Sequence, residues 1–387
     1  MGIEQIDKNF KPSGVSSTDL IWANALDTKA KTYGVFYSEK DKAYMRFPLD
    51  DAGKIGLGYK VYADSTTGGR IRFRTNSPNV AFHVTARVAD GVISSASALT
   101  NCYGVSVYDG KRFVGKFSAE AKDVLKGVGD QDFSFFAGAD TAEQRIADFR
   151  DGKYPVKYSG EFNLEQKIGK KDFYDITLFL PLYNGVKEVL IGIKPNSEIF
   201  APTEYKHNGY IAFYGSSVTH GGCASRPGLD YVSLLSQMLD CDVYNMGVTG
   251  SAKGGKDAEE YLAKLNPCIY FIDYDHNSPS PEHLSQTHYS IYQAIRNVHP
   301  NTPIVFASRI GAFYYNDYKE RIDIINGTVE KAKKQGDSNV YFIDGSTVFP
   351  KEIEGDCTVD CCHPNDLGFY LMAKAFAPAL KEILEKQ

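Results

Sequence analysis

Tyr210-Ile-Ala-Phe-Tyr-Gly-Ser-Ser-Val-Thr-His-Gly221 joins a short apolar run to a loop of small and polar residues. Near the end of the chain, Asp360-Cys-Cys-His-Pro-Asn365 precedes the last helical stretch. The two segments together supply a hydroxyl, an imidazole and a carboxylate on Ser217, His363 and Asp360. A serine is a weak nucleophile at neutral pH, so it needs a histidine to take its proton and an acid to hold that histidine in one tautomer. The two segments therefore predict a serine hydrolase.

The half of the chain that follows Tyr210 alternates short apolar runs with stretches of helical periodicity. The apolar runs lie at 210–214, 242–246, 268–273, 303–308 and 339–343, and the helical stretches lie near 229–239, 256–265, 282–298, 317–335 and 366–385. Five such units predict an α/β fold, with a parallel five-stranded sheet and helices on both of its faces.

The candidate chemical groups follow the ends of these predicted strands. Ser217 follows the first strand, Gly250 the second and Asn277 the third, while Asp360 and His363 lie in the loop after the fifth. In open α/β sheets, ligands bind outside the carboxyl ends of the strands, at the topological switch point. We therefore expect these groups at one edge of the sheet.

The preceding half, from about residue 30 to 200, contains short runs rich in β-formers and separated by Gly, Asp, Asn and Ser. The runs begin at Tyr33, Lys42, Arg70, Val80, Tyr103, Phe173 and Val189. Several alternate apolar and polar residues, and this period of two predicts a β-sandwich of jelly-roll type. Short helical turns are expected near 118–126 and 142–150. We place an N-terminal sandwich domain at 1–204 and a catalytic domain at 205–387, with the joint at Lys194–Glu204.

Length and composition agree with two globular domains and exclude several classes of protein. The chain has 387 residues, 43% of them apolar and 24% charged, and no apolar run approaches the roughly 18 residues of a membrane span. A net charge of −5 and the absence of a Lys/Arg cluster give no electrostatic reason to bind nucleic acid. We expect neither a membrane nor a nucleic-acid partner. The 13% of aromatic residues are expected mainly in the cores, with stacking on sugar rings as the alternative.

The cysteines indicate the compartment and a possible metal site. Seven scattered cysteines form no disulfide framework, and reduced thiols are typical of a cytoplasmic protein. A secreted or periplasmic location stays open if a leader peptide has been removed. Cys357, Cys361, Cys362 and His363 are a weak candidate for zinc, because adjacent cysteines rarely converge on a tetrahedron and a metal would disable His363 as a base. We expect no metal and no cofactor.

Two further loops offer donors for an oxyanion. The Gly250 backbone N–H follows the second strand, and the amide of Asn277 can donate to a developing negative charge without titrating. Each has an ordinary interpretation as well: Gly250 as a tight turn, and the Asn277 segment as turn and helix-cap chemistry.

In these four loops the chain resembles the SGNH, or GDSL-like, hydrolases. The resemblance covers about residues 208 to 387 and follows the order Gly215-Ser216-Ser217, Asn245 to Gly250, Asn277, and Asp360-x-x-His363. It implies the flavodoxin-like form of the α/β fold. By position, it implies Ser217 as nucleophile, His363 as base and Asp360 as its orienting acid. It also implies an oxyanion hole made by the N–H groups of Ser217 and Gly250 and the side chain of Asn277.

Two positions depart from the pattern of these hydrolases. Ser216 stands where Asp is usual, and Asp275-His276-Asn277-Ser278 stands where Gly-x-Asn-Asp is frequent. With these departures the chain resembles a subgroup whose SGNH domain follows a β-sandwich. Several members of that subgroup deacetylate carbohydrates, and others transfer acyl groups. Arg226, soon after the nucleophile loop, is a candidate for contacting substrate oxygens, and an exposed ion-pairing arginine is the alternative.

The sequence therefore predicts an esterase that removes acetyl or another short acyl group from a carbohydrate hydroxyl through an acyl-enzyme on Ser217. The expected partner is a small-molecule or oligosaccharide ester. One alternative is an acyltransferase that uses the same three residues and gives the acyl group to another hydroxyl. A second alternative is a non-catalytic carbohydrate-binding protein with a degenerate site. The sandwich is expected to pack against the catalytic domain and to shape its cleft.

Overall fold

The structure, a computed structural model, describes residues 14–87, 97–120, 155–311 and 315–387, together with the isolated positions 6, 124, 144, 147 and 151. Twelve of the 18 residues in the helical turns predicted near 118–126 and 142–150 lie outside the described residues.

Seventeen strands are present in the described part of the chain. They are β1 (Ile21–Asn24), β2 (Lys31–Tyr33), β3 (Phe36–Ser38), β4 (Ala43–Met45), β5 (Arg70–Thr75), β6 (Asn79–Arg87), β7 (Gly104–Asp109), β8 (Arg112–Ser118), β9 (Pro155–Asn163), β10 (Tyr174–Phe179), β11 (Val186–Ile193), β12 (Ile199–Phe200), β13 (His207–Gly215), β14 (Cys241–Asn245), β15 (Ile269–Asp273), β16 (Ile304–Ala307) and β17 (Val340–Ile343).

The α-helices are α1 (Leu49–Ile55), α2 (Leu57–Val61), α3 (Leu99–Tyr103), α4 (Leu164–Ile168), α5 (Ser217–His220), α6 (Tyr231–Leu239), α7 (Lys256–Lys264), α8 (Pro281–Val298), α9 (Tyr318–Lys334) and α10 (Asp366–Leu384). Short 3-10 turns lie at Ala25–Asp27, Tyr274–Asn277, Gly345–Thr347 and Gly355–Cys357. None of the helices in the described ranges is both long and apolar enough to cross a membrane.

The N-terminal half forms the predicted β-sandwich. One antiparallel sheet has the order β1-β11-β6-β9, and the other has the order β12-β5-β10-β7-β8 with β2 added to β5. Phe82 of the first sheet packs against Phe73 and Phe117 of the second, and the rings of Phe82 and Phe117 lie parallel at 6.0 Å. The aromatic residues named here fill the core between the sheets, because alternate side chains of each strand point inward.

The C-terminal half forms the predicted α/β domain, so the predicted fold class is confirmed. Its five parallel strands have the order β14-β13-β15-β16-β17. Helix α6 packs against α10, while α8 contacts both α7 and α9. The first strand therefore lies between the second and the third, and the switch point falls beside the carboxyl end of β13.

The two halves share a polar interface that is centred on Arg46. This buried side chain donates to the carbonyl oxygens of Asn245 at 3.2 Å and Gly247 at 2.7 Å, and to Ser65 Oγ at 2.7 Å. Burial lowers the pKa of the Arg46 guanidinium to about 10, so it stays charged at neutral pH. On the other side of the interface, the Asn101 amide donates to the carbonyl oxygens of Gly221 and Ala224. Sandwich side chains thus satisfy the backbone of the loops after β13 and β14.

We propose the boundary between the domains at residues 204 and 205, and a fragment that begins there tests whether the sandwich contributes to the site. A chain of residues 205–387 alone would lose the side chains that donate to these backbone carbonyls. Without these hydrogen bonds the loops are held less firmly in their native geometry. We expect this fragment to be poorly soluble, or to cleave a small aryl acetate while losing its preference for the natural ester. A soluble fragment with unchanged kcat/KM on acetylated oligosaccharides would show that the sandwich has no part in the site.

Candidate active site

Ser217 is the first residue of helix α5, directly after strand β13. Ser216 caps this helix, because its Oγ accepts the N–H of Val218 at 3.1 Å. Ser and Asp are both strong N-cap residues, which accounts for the serine where Asp is usual. Gly221 ends the helix with a φ of 92°, a conformation that only glycine adopts without strain. The turn is therefore fixed at both ends, and it leaves the Ser217 hydroxyl at the carboxyl edge of the sheet.

The hydroxyl, the imidazole and the carboxylate come together as predicted from their loops. Ser217 Oγ lies 2.8 Å from His363 Nε2. His363 Nδ1 lies 2.8 Å from Asp360 Oδ2, on the opposite side of the ring. A carboxylate can only accept here, so it places the ring proton on Nδ1 and leaves Nε2 free to accept the serine proton. The arrangement has the connectivity of a Ser-His-Asp triad.

Backbone hydrogen bonds hold the histidine loop in a tight turn. Asp360 Oδ1 accepts the N–H groups of His363 at 2.7 Å and Cys362 at 3.1 Å. The N–H of Val359 donates to the His363 carbonyl at 2.9 Å. Asn365 then caps helix α10 by accepting the N–H of Gly368. Since both oxygens of Asp360 are engaged within the loop, the carboxylate and the imidazole keep one relative orientation.

Opposing effects act on the Asp360 carboxyl. Partial burial favours its neutral form, but the hydrogen bonds from the backbone and ring of His363 outweigh burial and place its pKa below the ordinary value of 3.8. Asp360 is therefore ionised throughout the neutral range. Because the pKa is lowered on folding, this group stabilises the loop above the ordinary pKa, and that stabilisation is lost as the pH falls through the lowered value.

The loop after β14 is positioned by Asn245 and carries Gly250. The Asn245 amide donates to the Thr219 carbonyl at 2.7 Å, and its Oδ1 accepts the N–H of Gly247 at 2.8 Å. Val248 and Ser251 then close a turn through a 3.1 Å backbone hydrogen bond, with Gly250 inside it at a φ of 67°. A positive φ at that point favours glycine, so the turn explains the residue type whether or not its N–H serves the reaction.

Asn277 lies on the 3-10 turn after β15 and reaches the same loop. Its Nδ2 donates to the Val248 carbonyl at 3.1 Å. An amide nitrogen carries two hydrogens, so one remains for another acceptor while the first ties the two loops together. Roles for the N–H groups of Ser217 and Gly250 and for the Asn277 amide in an oxyanion hole remain proposals that this geometry permits.

Asn277→Ala tests the proposed oxyanion role. We expect a loss of about 3 kcal/mol of transition-state stabilisation, which lowers kcat by about a hundredfold with little change in KM, because the amide acts only when charge develops. Steady-state kinetics on an aryl acetate measure both constants. Asn266→Ala, at an exposed position before β15, is the control. A change confined to KM would instead make Asn277 a substrate-binding residue.

Arg226 lies in the interface with the sandwich. Its guanidinium donates to Tyr108 Oη at 2.9 Å and lies over the Phe113 ring at 3.8 Å from its centroid. Both aromatic residues belong to the sandwich, on β7 and β8. The predicted contact of Arg226 with substrate stays a prediction, and the contacts shown give it a second role in joining the two halves.

A buried carboxylate that the sequence reasoning did not single out supports the nucleophile turn. Asp273, the last residue of β15, accepts the hydroxyl groups of Thr219 and Tyr231, each at 2.7 Å. Burial raises the pKa of Asp273 to about 7. Gly215 pairs with Asp273 across the sheet, and any side chain there would overlap the Asp273 carboxylate and the Thr219 hydroxyl. The glycine of the first motif is thus required by close packing beneath Ser217.

The second departure from the motif pattern also has a structural role. Asp275 is buried and forms ion pairs with Arg309 at 3.2 Å and Arg321 at 3.1 Å. The neighbouring His276 has a pKa lowered by burial to about 3, so its imidazole is neutral. The ion pairs of Asp275 therefore anchor the turn that carries Asn277 to the loop after β16 and to helix α9.

Comparison with known protein families agrees with this geometry. Residues 208–381 match the family model described as GDSL-like lipase/acylhydrolase. The match begins at β13 and ends within α10, so it includes Ser217, Asp360 and His363. The resemblance predicted from the motifs is therefore confirmed for this part of the chain. A search of curated protein sequences found no match.

Several solved structures share the architecture over nearly the whole chain. A protein from Bacteroides ovatus ATCC 8483 assigned as a GDSL-like lipase is 23% identical, covers 95% of this chain and 98% of its own, and has a TM-score of 0.69. Salicylyl-acyltransferase SsfX3, from a tetracycline biosynthetic pathway, is 17% identical over 95% of this chain and 98% of its own, with a TM-score of 0.70. A family two carbohydrate esterase from Clostridium thermocellum, in complex with cellohexaose, is 11% identical over 92% and 99%, with a TM-score of 0.60. At these identities the likeness shows the fold, including the sandwich that precedes the α/β domain.

Proposed function

We propose that the chain, whose residues 208–381 match the GDSL-like lipase/acylhydrolase family model, is a serine esterase that removes acetyl or another short acyl group from a carbohydrate hydroxyl. The observation that carries this proposal is the hydrogen-bonded series Ser217 Oγ, His363 and Asp360, with 2.8 Å at each contact of the ring. No cofactor takes part in the proposed reaction.

Acylation begins with attack by Ser217 Oγ on the ester carbonyl. His363 Nε2 takes the serine proton as the new C–O bond forms, and the carbonyl electrons move to the oxygen. The N–H groups of Ser217 and Gly250 and the Asn277 amide donate to that oxyanion. When the tetrahedral intermediate collapses, the bond to the sugar oxygen breaks, and His363 returns its proton to the leaving alcohol.

Deacylation repeats these steps with water as the nucleophile. His363 takes a proton from water, hydroxide adds to the acyl-serine carbonyl, and the serine leaves with the proton that His363 returns. Throughout both steps Asp360 stays charged and stabilises the imidazolium form of the ring. The products are the free sugar hydroxyl and a short carboxylic acid.

Partial exposure of the triad supports a large substrate. The side chains of His363 and Asp360 are 28% and 43% exposed, so solvent reaches these two members of the triad. Such exposure supports a bulky substrate such as an oligosaccharide ester. The family two carbohydrate esterase with cellohexaose bound shares the fold, which adds support for a carbohydrate substrate.

An acyltransferase is the second candidate, and it uses the same three residues. The similarity of fold to salicylyl-acyltransferase SsfX3 favours keeping it. An acyltransferase holds an acceptor alcohol better than water, so the two functions differ in how the acyl-enzyme partitions. Added acceptor alcohols should leave the yield of free acid nearly unchanged for an esterase, and should divert most of the acyl group for a transferase.

A substrate screen tests the proposal. We expect wild-type protein to release acetate from acetylated oligosaccharides and from aryl esters, with kcat/KM falling as the acyl chain lengthens. Ser217→Ala run in parallel defines the background. Absence of turnover on every ester, with oligosaccharide binding retained, would favour the non-catalytic carbohydrate-binding alternative and contradict the proposal.

A further inference from the structure

A tyrosine from the sandwich half reaches the proposed catalytic loops. Tyr183 lies between β10 and β11 and is only 5% exposed. Its ring stacks on the imidazole of His220, the last residue of α5, with centroids 3.8 Å apart and the planes at 7°. Helix α5 begins at Ser217, so Tyr183 packs on the same short helix that carries the proposed nucleophile.

The Tyr183 hydroxyl lies where three loops of the site meet. Its Oη is 2.8 Å from Thr249 Oγ1 and 3.5 Å from the carbonyl oxygen of Ser217. Thr249 directly precedes Gly250. A side-chain carbon added at Gly222 would lie 3.2 Å from His363 Cδ2 and 3.4 Å from the Tyr183 hydroxyl. The hydroxyl is therefore beside the nucleophile turn and the Gly250 loop, and both it and the His363 ring lie near Gly222.

The hydrogen bonds around His220 give this contact a direction. His220 Nε2 lies 3.1 Å from the Leu182 carbonyl, which can only accept, so Nε2 carries the proton. Burial lowers the pKa of His220 well below its ordinary value, so the ring is neutral and Nδ1 accepts. The Thr249 hydroxyl, 3.5 Å from Nδ1, then donates to the ring and accepts from Tyr183. Burial raises the pKa of Tyr183, which keeps its hydroxyl protonated for that donation.

We propose that Tyr183 is a positioning residue of the reaction, and that its hydroxyl holds Thr249, and thereby the N–H of Gly250, at the oxyanion position. This inference rests on the proposed esterase function. It makes the sandwich a component of the catalytic site, in addition to its packing against the α/β domain. An oxyanion donor that shifts by a fraction of an ångström loses much of its effect on the transition state, so the hydroxyl should influence kcat more than KM.

The test compares variants of the full chain. Tyr183→Phe keeps the ring on His220 and removes the hydroxyl, and Thr249→Val removes the partner hydroxyl at nearly constant volume. We expect each to lower kcat on an aryl acetate by about tenfold with little change in KM. Thr249→Ser keeps the hydroxyl and should retain wild-type kcat. Tyr158→Phe is the matched control, since Tyr158 is buried in the sandwich and its hydroxyl has no hydrogen-bond partner among the residues that the structure describes.

The double variant Tyr183→Phe/Thr249→Val separates positioning from general loosening. If the two hydroxyls act through one contact, the double variant loses no more than about tenfold, whereas independent effects multiply to about a hundredfold. A kcat for Tyr183→Phe equal to that of wild type, or multiplied effects in the double variant, would overturn the inference while leaving the esterase proposal intact. If the wild-type chain forms no acyl-enzyme from the aryl acetate, the proposed function fails and this inference fails with it.

Discussion

Ser217→Ala is expected to lower kcat for ester hydrolysis by several powers of ten while leaving the fold intact. The variant removes the only atom proposed to form the covalent intermediate, the Oγ that lies 2.8 Å from His363 Nε2. Triads lose most of their activity with the nucleophile, and the residual rate comes from the oxyanion donors and from binding. Steady-state kinetics and an unfolding curve measure the two effects.

Ser216→Ala is the matched control for this variant. It removes a hydroxyl from the adjacent residue, together with the cap hydrogen bond to Val218, so it should destabilise the fold by about 1 kcal/mol. Its nucleophile is intact, and we expect a loss in kcat of less than about tenfold. Activity of Ser217→Ala within tenfold of wild type would refute the assignment of the nucleophile.

Asp360→Asn is expected to lower kcat by about 10⁴-fold, because it reverses the tautomer of His363. The asparagine Oδ1 can still accept the N–H groups of His363 and Cys362, so the loop should keep its shape. Its amide N–H then faces His363 Nδ1 and forces that atom to accept. The ring proton moves to Nε2, which can no longer take the proton of Ser217.

Asp356→Asn gives a control for the change in charge. Asp356 is exposed on the same segment of chain, four residues before Asp360, and its replacement should leave kcat near the wild-type value. If Asp360→Asn kept activity within tenfold of wild type, Asp360 would not be the residue that orients His363. Equal losses in both variants would indicate a general electrostatic effect instead.

The parts of the site that follow strand ends were predictable from the sequence. Parallel strands place all their carboxyl ends at one edge, so recognising β13 and the loop after β17 was enough to bring Ser217 and His363 together. The tautomer logic of Asp360 depends on residues three positions apart in one turn, which is also local information. Gly250 could be assigned to a turn, but its function still rests on the family resemblance.

The packing of the sandwich on the catalytic domain was predictable, but its individual contacts were not, because they join segments far apart in the chain. Arg46 lay in a run predicted as a strand, yet the strand ends at Met45 and the guanidinium is buried against the loop after β14. The segment Leu178 to Tyr183 resembles the subgroup with an N-terminal sandwich, but this resemblance assigns Tyr183 no role. Only the packing of a sandwich loop on His220 shows its proximity to Ser217. Neither burial nor partner identity follows from residue type at such separations.

Some secondary structure lies outside the predicted runs, for different reasons. Strand β9 alternates buried and more exposed residues over Pro155–Asn163, so its period of two is present in the sequence. Strand β8 contains a glycine at its centre and a register shift against β7, both of which weaken the pattern. Helices α1 and α2 are short pieces within a half whose pattern otherwise indicates strands, and local propensity alone does not distinguish them.

In the proposed mechanism Ser217 carries the acyl group between two half-reactions. Rapid quenching of the wild-type chain with excess aryl acetate, followed by mass spectrometry of its peptides, detects this intermediate. We predict one added acetyl group on the peptide that contains Ser217, formed at the rate of the first turnover, lost on removal of the ester, and absent from Ser217→Ala. Turnover of the ester with no acetylated Ser217 at any time, or an equal acetyl adduct on the Ser217→Ala chain, would contradict this mechanism.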